Sequence, residues 1–478
     1  MTFKPIYRQL ASHYLSAIEC GTLKPGDRLP SIRLMMEKHS ISLSTAVQVC
    51  RQLEEYGVLE ARPRSGNFVR KLTTRHVSAV AQEQVRAVDM SQYVGIHEQV
   101  STIIKASQRA SVNVNLASAY CTSQIYPIKV LQQNMANALR RDAHLLGVPS
   151  SASGDHRLRE LLARRALNMR TNLTADKIVI THGATEALNL ALRAVTQPGD
   201  VVAVESPTFY GLLQILESLN LRVLEIPTEE LSGVSLPALR QALTGPEPVQ
   251  AVVIIANLHN PLGTIMSDAH KRELVMLCAE HEVTLIEDDT YSELADTEAP
   301  LSSLKRWDTE ERVIYCASLN KALAPGLRLG WIAAGRWHDR VEMFKYTQSR
   351  GCDLLPQMAV AQFMNTPSFE RYLRRLRSQL TAQRHSLREA VLRHFPEGTT
   401  VTTPQGGTLL WVSLPIQGSS MELFYRALER GIRVTPGRVF SNAGRYDNFV
   451  RLGAGAPHSP DIERAITTLG ELVARQML

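Results

Sequence analysis

The chain has 478 residues, of which 44% are hydrophobic and 21% are charged. This length allows several domains, and the composition is that of a globular protein. The first ten residues lack the apolar core of a signal peptide, and apolar runs such as 251–256 are far shorter than a membrane span. The six cysteines are scattered without a CxxC pair, which argues against a zinc cluster. We therefore expect a cytoplasmic protein with no membrane partner and no metal site.

Positive charge is concentrated at the start of the chain. Residues 1–75 contain twelve Lys or Arg and six Asp or Glu, whereas the rest of the chain contains 41 basic and 40 acidic side chains. Nearly all of the formal net charge of +7 therefore lies in this first part. Such a local excess favours a phosphate backbone as partner, although a solvated basic face would have the same composition.

The pattern over residues 1–71 predicts a winged helix-turn-helix. Apolar residues recur at helical spacing from Tyr7 to Ile18, and Ser31 opens a second helix. Ser42 is a suitable N-cap for a third helix, which follows the second after a tight turn. Two short β runs, 58–62 and 67–70, are joined by a Pro- and Gly-containing turn. Three helices followed by a β-hairpin are typical of this DNA-binding motif.

The segments Leu29–Arg33 and Arg64–Val69 resemble the GntR family of bacterial regulators in order and spacing. The resemblance implies that the third helix enters the major groove of double-stranded operator DNA. The residues expected to face base edges are Ser42, Ser44, Thr45 and Gln48, and those expected to hold phosphates or reach a minor groove are Arg33, Arg51, Arg62 and Arg64. A winged helix that binds protein is the alternative, but the arginines and the charge excess favour DNA.

Residues 72–112 are predicted to be a linker. The stretch after Lys71 is polar and mixes Gln, Glu and small residues, with a helical pattern near 96–106.

From residue 113 to residue 478, short apolar runs alternate with helical stretches. The candidate strands are 177–180, 201–204, 223–226, 252–256, 283–286, 313–316 and 329–333. Buried runs that are separated by helices predict a largely parallel sheet in an α/β domain. Ligands bind at the carboxyl ends of the strands in such sheets, and polar candidates cluster there in this sequence.

Lys321 is the most informative of these candidates. It follows the strand that ends near Ala317, with Ser318 three residues before it and Arg328 seven residues after it. A lysine amine on a rigid turn can form an imine with an aldehyde, while Ser318 and Arg328 hold a phosphate beside it. That combination points to pyridoxal 5'-phosphate (PLP), although a surface lysine beside a Pro-Gly turn is the alternative for the motif alone.

The lysine segment resembles the aspartate-aminotransferase-like (fold-type I) PLP proteins, and four other segments match that family in order. The resemblance implies a large α/β domain with a smaller C-terminal α+β subdomain, and it assigns Lys321 as the catalytic residue. The remaining cofactor residues it implies are Gly183, Ala184 and Thr185 at a phosphate-binding helix start, Phe209 stacked on the ring, Asn260 and Tyr291 at the phenolate oxygen, and Asp288 at the ring nitrogen.

The family resemblance also assigns Arg451 as the residue that binds a ligand's α-carboxylate, with a surface-strand arginine as the alternative. At two positions the sequence departs from the family in ways that bear on transamination. Pro149 stands where many relatives have a tyrosine that reaches the partner's phosphate, and Ala119-Tyr120-Cys121 replaces a Gly-x-Pro near the entrance. The pocket residues above imply that the cofactor is retained, whereas these two departures argue against efficient transamination.

A GntR-type head joined to an aminotransferase-like body resembles the MocR subfamily of transcriptional regulators. The resemblance implies a homodimer that binds DNA and senses PLP, or an amine or amino acid effector, through an aldimine at Lys321. An active aminotransferase with an accessory DNA-binding domain is the main alternative. A vestigial body that serves only for dimerisation is the third.

Overall fold

The structure is a computed structural model, and it describes residues 6–19, 23–24, 26–55, 58–62, 66–69, 90–297, 299–415 and 417–477. The chain divides into two compact units, Met1–Val77 and Ser78–Leu478. None of the helices in the described residues is long and apolar enough to cross a bilayer.

The first unit is a winged helix-turn-helix, as predicted. Its elements are α1 (Ile6–Glu19), α2 (Ile32–His39), α3 (Leu43–Glu55), β1 (Leu59–Arg62) and β2 (Gly66–Val69). The two strands form an antiparallel hairpin in which Leu59 lies opposite Val69. Apolar residues from all three helices and the hairpin, such as Tyr14, Met35 and Leu53, form one buried core. Burial of this shared core holds the short elements together.

Serine side chains fix where α2 and α3 begin. The backbone N–H of Leu34 donates to the Ser31 side chain at 3.2 Å, and the N–H of Thr45 donates to the Ser42 side chain at 3.3 Å. Such N-caps satisfy backbone donors that lack a partner inside the helix. Ser40 ends α2 in the left-handed conformation with φ 51°, which permits the tight turn into α3.

The second unit is built from many more elements. Its strands are β3 (Gln92–Tyr93), β4 (Val114–Asn115), β5 (Val179–Thr181), β6 (Val201–Ser206), β7 (Arg222–Glu229), β8 (Gly233–Val234), β9 (Val249–Ile254), β10 (Thr284–Asp289), β11 (Val313–Ser318), β12 (Gly330–Ala333), β13 (Thr400–Val401), β14 (Leu409–Ser413), β15 (Ile432–Arg433), β16 (Thr435–Pro436) and β17 (Phe449–Gly453). Its helices are α4 (His97–Arg109), α5 (Ile128–Arg141), α6 (His156–Ala166), α7 (Ala184–Val195), α8 (Tyr210–Ser218), α9 (Leu236–Leu243), α10 (Asp268–Glu280), α11 (His338–Ser349), α12 (Leu354–Met364), α13 (Pro367–His394), α14 (Ser420–Glu429) and α15 (Pro460–Arg475).

A nine-stranded sheet forms the centre of this unit, in the order β3-β7-β6-β9-β10-β11-β12-β5, with β8 paired to β7. The five strands from β7 to β11 are parallel to one another, and β12 is antiparallel to both of its neighbours. All seven predicted strands are present. The prediction of a largely parallel sheet is confirmed.

Helices cover both faces of the sheet. Alternate residues of β6 point to opposite sides, so Val202 and Val204 pack with α7 and α8, whereas Val201 and Ala203 pack with α9 and α10. This double burial explains why the strands appear in the sequence as continuous apolar runs. These helices leave the carboxyl ends of the parallel strands uncovered.

A smaller α+β subdomain follows, as predicted. Its antiparallel sheet has the order β13-β14-β17-β16, and Trp411 on β14 lies opposite Arg451 on β17. Helices α14 and α15 and the end of α13 pack on this sheet through a separate apolar core. This packing places β17 next to the carboxyl ends of the parallel strands in the large sheet.

Residues 90–112 of the predicted linker, 72–112, belong to the second unit instead, although the helical pattern predicted near 96–106 is present as α4. Strand β3 pairs with β7 at the sheet edge, and Val94, Ile96 and Val100 are buried in the large core. Residues 72–89 lie outside the described residues. The error has a physical cause, since a two-residue edge strand gives no alternating pattern and α4 carries many polar residues.

Candidate functional site

A cavity of about 240 Å³ lies at the carboxyl ends of the parallel strands. Many of its lining residues lie at or shortly after the carboxyl ends of β5, β6, β9, β10 and β11, and Arg451 comes from β17. The predicted residues that line it are Ala184, Thr185, Phe209, Asn260, Asp288, Tyr291, Ser318, Lys321, Arg328 and Arg451. Gly183 immediately precedes Ala184 as the N-cap of α7. The fold therefore gathers all of the predicted cofactor and carboxylate residues around one space.

The amine of Lys321 lies among aromatic rings inside this cavity. Its Nζ atom donates to the backbone oxygen of Ala119 at 3.2 Å and lies 3.5 Å from the ring centre of Tyr120 and 5.2 Å from that of Tyr291. Burial lowers the pKa of Lys321 to about 7, and the positive charge of Arg451 lowers it further than the carboxylate of Asp288 raises it. A large fraction of the amine is therefore neutral and nucleophilic at neutral pH.

Asp288 supplies a buried carboxyl group at the end of β10. The Oγ1 atom of Thr290 donates to its Oδ1 atom at 2.5 Å. Burial raises the pKa of Asp288 to about 6, and the neighbouring Asp289 adds to the rise. A cationic ring nitrogen placed against Asp288 would satisfy this desolvated carboxylate.

A corner whose geometry suits an anion lies where β5 meets α7. Gly183 has φ 81°, and a Cβ atom at this position would lie 2.8 Å from Nδ2 of Asn320. The first backbone N–H groups of α7, at Ala184 and Thr185, border the cavity there. Arg328 is left-handed with φ 50°, and its Nη2 atom donates to the backbone oxygen of His182 at 3.0 Å. A helix N-terminus beside an arginine is suited to a phosphate group.

A buried ion pair between Lys345 and Glu186 lies beside this corner and stabilises the start of α7. The Nζ atom of Lys345 donates to Glu186 at 2.7 Å and to Ser349 at 2.9 Å, and it lies 3.2 Å from Nδ1 of His182 and 3.3 Å from Sγ of Cys352. His182, Glu186 and Cys352 have the spacing of metal ligands. The lysine ammonium already lies among these three groups, so the cluster is an internal salt bridge.

Arg451 is buried, with only 2% of its surface exposed. Its Nη1 atom donates to Oδ1 of Asn260 at 3.1 Å, and its Nη2 atom donates to the backbone oxygen of Ala117 at 2.8 Å and to Thr435 at 3.3 Å. Its Nε atom is buried and has no hydrogen-bond partner. No acidic residue forms an ion pair with it in the described part of the chain. A buried cation of this kind is suited to binding a carboxylate ligand.

The first unit presents most of the predicted DNA-contacting residues to solvent. The side chains of Arg33, Ser42, Ser44, Gln48 and Arg51 are exposed, and Thr45 is half-buried beside them. The Ser42 hydroxyl lies 2.9 Å from both the Ser44 and the Thr45 hydroxyls, which places this polar group at the start of α3. The Arg62 side chain and all of Arg64 lie outside the described residues.

Comparison with known proteins decides the family. Residues 6–69 match the bacterial regulatory proteins of the gntR family, and residues 114–469 match the class I and II aminotransferases. The HTH-type transcriptional regulator YjiR of Escherichia coli K12 is 34% identical over 98% of this chain and 99% of its own. Its counterpart YdcR is 35% identical over the same shares. The chain belongs to the MocR subfamily of GntR-type regulators.

A solved structure supports the fold of the MocR body and its cofactor class. The crystal structure of LysN, an α-aminoadipate aminotransferase from Thermus thermophilus, contains N-(5'-phosphopyridoxyl)-L-leucine. It is 26% identical and matches 78% of this chain and 95% of its own with a TM-score of 0.73. The aminotransferase class to which this body belongs is PLP-dependent.

The residues of this MocR chain fit PLP. Lys321 provides an amine for the aldehyde, Asp288 a carboxyl for the ring nitrogen, and the start of α7 an anion site for the phosphate. Asn260 uses its amide oxygen to accept from Arg451, which leaves its amide nitrogen as a donor for the phenolate oxygen. The geometry therefore offers a complementary group for each polar part of the cofactor.

Several residues that line the cavity of the MocR body were not among the predicted site residues, and four of them carry polar or aromatic groups close to predicted ones. These are Tyr120, Tyr210, Thr290 and Asn320. Thr290 and Asn320 lie within two residues of predicted site residues at strand ends, so inspection of neighbours would have found them. The family resemblance placed Ala119-Tyr120-Cys121 near the entrance, but no pattern predicted that the ring of Tyr120 would lie against the amine of Lys321.

Proposed function

We propose that this MocR protein is a DNA-binding transcriptional regulator that detects an amino compound through PLP held on Lys321. The observation that carries the proposal is that Lys321, Asp288, the start of α7 and the buried Arg451 surround one cavity. The same chain carries a GntR head in which Ser44, Gln48 and Arg51 of α3 are exposed. The head of residues 1–71 would bind the operator, and the body would bind the ligand.

The residues of the chain have separate tasks in this proposal. When bound, PLP supplies an aldehyde that can exchange one amine for another. The lowered pKa of Lys321 keeps its amine ready to accept or return this bond. Asp288 holds a proton at the ring nitrogen, and Arg451 fixes the ligand by its carboxylate. Lys321 would hold the cofactor to the chain and would be freed if a ligand amine took its place, and only a ligand that favours one of two states of the protein could then change DNA binding.

The protein is further proposed to act as a cytoplasmic homodimer. Among the described side chains between residues 128 and 148, five large apolar ones are exposed, from Val130 at 37% to Leu146 at 69%. Exposed apolar residues concentrated in one segment are typical of an interaction surface. A dimer would present two heads to paired half-sites in the operator.

The visible absorbance of the purified full chain tests the function. We expect a band from covalently held PLP that Lys321→Ala abolishes and that Lys177→Ala, a change at an exposed lysine, leaves intact. An amino compound that shifts the band once, without continued turnover when a keto acid is added, supports detection. Sustained conversion with a keto acid would instead show an active aminotransferase. A chain without any band would contradict the cofactor assignment.

A further inference from the structure

Two apolar side chains of α3 lie outside the core of the first unit. Leu43, the first residue of α3, is 59% exposed, and Val47, one turn later, is half-buried. Residues four apart lie on the same side of a helix. Among the described residues, the buried core of this unit and the half-buried apolar residues that pack against it include neither Leu43 nor Val47. The two side chains therefore form an apolar strip that the core does not use.

The apolar strip lies beside polar residues that face solvent. Arg51 follows Val47 by four residues and is exposed, so Leu43, Val47 and Arg51 form one row along the helix. Ser44 and Gln48 form a second exposed row next to it. The surface that α3 offers to a partner is therefore apolar along one side of its first two turns and cationic further along.

The hydroxyl groups at the start of α3 are engaged with one another. The Oγ atom of Ser42 accepts from the backbone N–H of Thr45 at 3.3 Å and lies 2.9 Å from the hydroxyl oxygens of Ser44 and Thr45. Much of the hydrogen-bonding capacity of these groups is thus used within the chain. Among the first four residues of α3, Leu43 has the largest side chain, and it is left to contact a partner.

The charge of the first unit favours DNA as the partner of this surface. Residues 1–75 contain twelve Lys or Arg and six Asp or Glu. This excess attracts phosphate groups, and Arg51 supplies an exposed guanidinium on the same row as the apolar strip. A helix of this kind enters the major groove with its N-terminal residues at the base edges.

The major groove contains one apolar group that a leucine or valine can recognise. This group is the 5-methyl group of thymine, whereas the other groups at the base edges are hydrogen-bond donors or acceptors. Apolar side chains form no hydrogen bonds, so they distinguish bases by contact with this methyl group. An apolar strip at the start of α3 therefore matches thymine-containing base pairs.

We propose that Leu43 and Val47 are specificity-determining residues that contact thymine methyl groups of the operator. Each side chain would contact a different thymine, because the two lie one helical turn apart. This inference rests on the proposed function, since it needs α3 in the major groove, and it goes further by naming the chemical group that the head recognises. A protein surface that covers the strip is the alternative, and it would make DNA binding independent of these methyl groups.

Removal of single methyl groups from the DNA tests the proposal. The full chain first selects a duplex from fragmented genomic DNA. Copies of this duplex are then synthesised in which each thymine in turn is replaced by uracil, which lacks only the 5-methyl group. Fluorescence anisotropy measures the dissociation constant of each copy. We expect replacement at one or more positions to raise the dissociation constant roughly fourfold, as for the loss of one buried methyl-sized group.

Substitutions in the strip assign each methyl group to a side chain. Leu43→Ala should weaken binding of the thymine duplex and make its dissociation constant equal to that of the uracil copy at one sensitive position, and Val47→Ala should do so at another. Leu43→Met keeps an apolar side chain and should retain most of the difference. Leu34→Ala is the control, because Leu34 is 50% exposed on α2 and should not affect the difference at any position. Thermal unfolding of Leu43→Ala should match that of the unmodified chain.

The outcomes separate this inference from the proposed function. If the full chain prefers the selected duplex to a scrambled one but binds every uracil copy equally well, the methyl contacts are overturned and DNA recognition stands. A methyl dependence that survives both Leu43→Ala and Val47→Ala would also overturn the inference, because other residues would then contact the methyl groups. If the full chain prefers no duplex to a scrambled one, the inference and the DNA-binding function are both overturned.

Discussion

At the level of single residues, the environment of Lys321 determines what its amine can do. Burial and the nearby guanidinium of Arg451 both disfavour the ammonium form, and together they lower the pKa to about 7 from its ordinary value of 10.5. The carboxylate of Asp288 opposes the shift without cancelling it. The amine is therefore prepared for reaction before any cofactor arrives.

This environment predicts how cofactor uptake depends on pH. Because only the neutral amine attacks an aldehyde, the rate of PLP uptake by the cofactor-free chain should rise between about pH 6 and 8 and then level off. Arg451→Met removes a positive neighbour, so the pKa of Lys321 should increase and the midpoint should move to higher pH. Stopped-flow absorbance measures both rates. A rate that keeps rising towards pH 10 in the unmodified chain would show that the amine is not perturbed.

At the level of elements, the start of α7 depends on the buried ion pair between Lys345 and Glu186. Burial alone would raise the pKa of Glu186, but hydrogen bonds from Lys345 and from the backbone N–H of His182 outweigh it, so this pKa lies below its usual value. Lys345 lies on α11 and has no exposed surface. The pair thus joins α11 to the first turn of the helix that would hold the phosphate.

Removal of Lys345 should therefore be costly. Lys345→Met leaves the Glu186 carboxylate buried without its partner, and we expect a loss of about 3 kcal/mol in the free energy of unfolding at pH 8. The loss should be smaller near pH 5, because the pKa of Glu186 rises in the variant and protonation removes the unpaired charge. Denaturant unfolding monitored by fluorescence measures both values.

A surface pair provides the control for this prediction. Arg240 and Glu280 lie 3.2 Å apart, with 49% and 61% of their side chains exposed. Arg240→Ala should cost less than about 1 kcal/mol, since solvent already screens such pairs. Equal losses for Lys345→Met and Arg240→Ala would contradict the role assigned to the buried pair.

Substitutions in helix α3 should distinguish contacts with base edges from contacts with phosphates. Gln48 is exposed on this helix where base edges are expected, so Gln48→Ala should cost about 1–3 kcal/mol on the preferred site and relax its sequence preference. Arg51→Gln should weaken binding to all sequences alike and reduce the salt dependence by about one charge. Fluorescence anisotropy with a preferred and a scrambled duplex at several salt concentrations distinguishes the two. Arg475→Gln, in the last turn of α15, is the control.

The same elements show which parts of the fold could be predicted from the sequence. Strands buried on both faces appear as continuous apolar runs, and the ends of those strands identified the residues around Lys321. Contacts between distant segments could not be predicted in this way. Arg451 reaches the backbone oxygen of Ala117 across 334 positions. Helix α4 is a second case, because polar residues interrupt its apolar positions and its segment was therefore assigned to a linker.

At the level of the whole molecule, the proposal requires that ligand binding in the body changes DNA affinity in the head. Such coupling is a free energy shared by two sites, so each ligand must change the affinity of the other by the same factor. Helix α4 is well placed to take part within the body, because Val100 packs in the large core while Ile103 and Ala106 pack against the core of the smaller subdomain. Helix α4 therefore connects the two cores.

Reciprocity gives the test of this coupling. With an operator fragment selected from genomic DNA, an amino acid that shifts the visible band should change the dissociation constant for DNA by about fivefold or more. Saturating operator should change the half-saturating amino acid concentration by the same factor. Lys321→Ala should abolish both effects while it retains DNA binding, because the head lies in a separate unit of the chain. A band that responds fully while DNA affinity stays constant would show that the body binds its ligand without regulating the head.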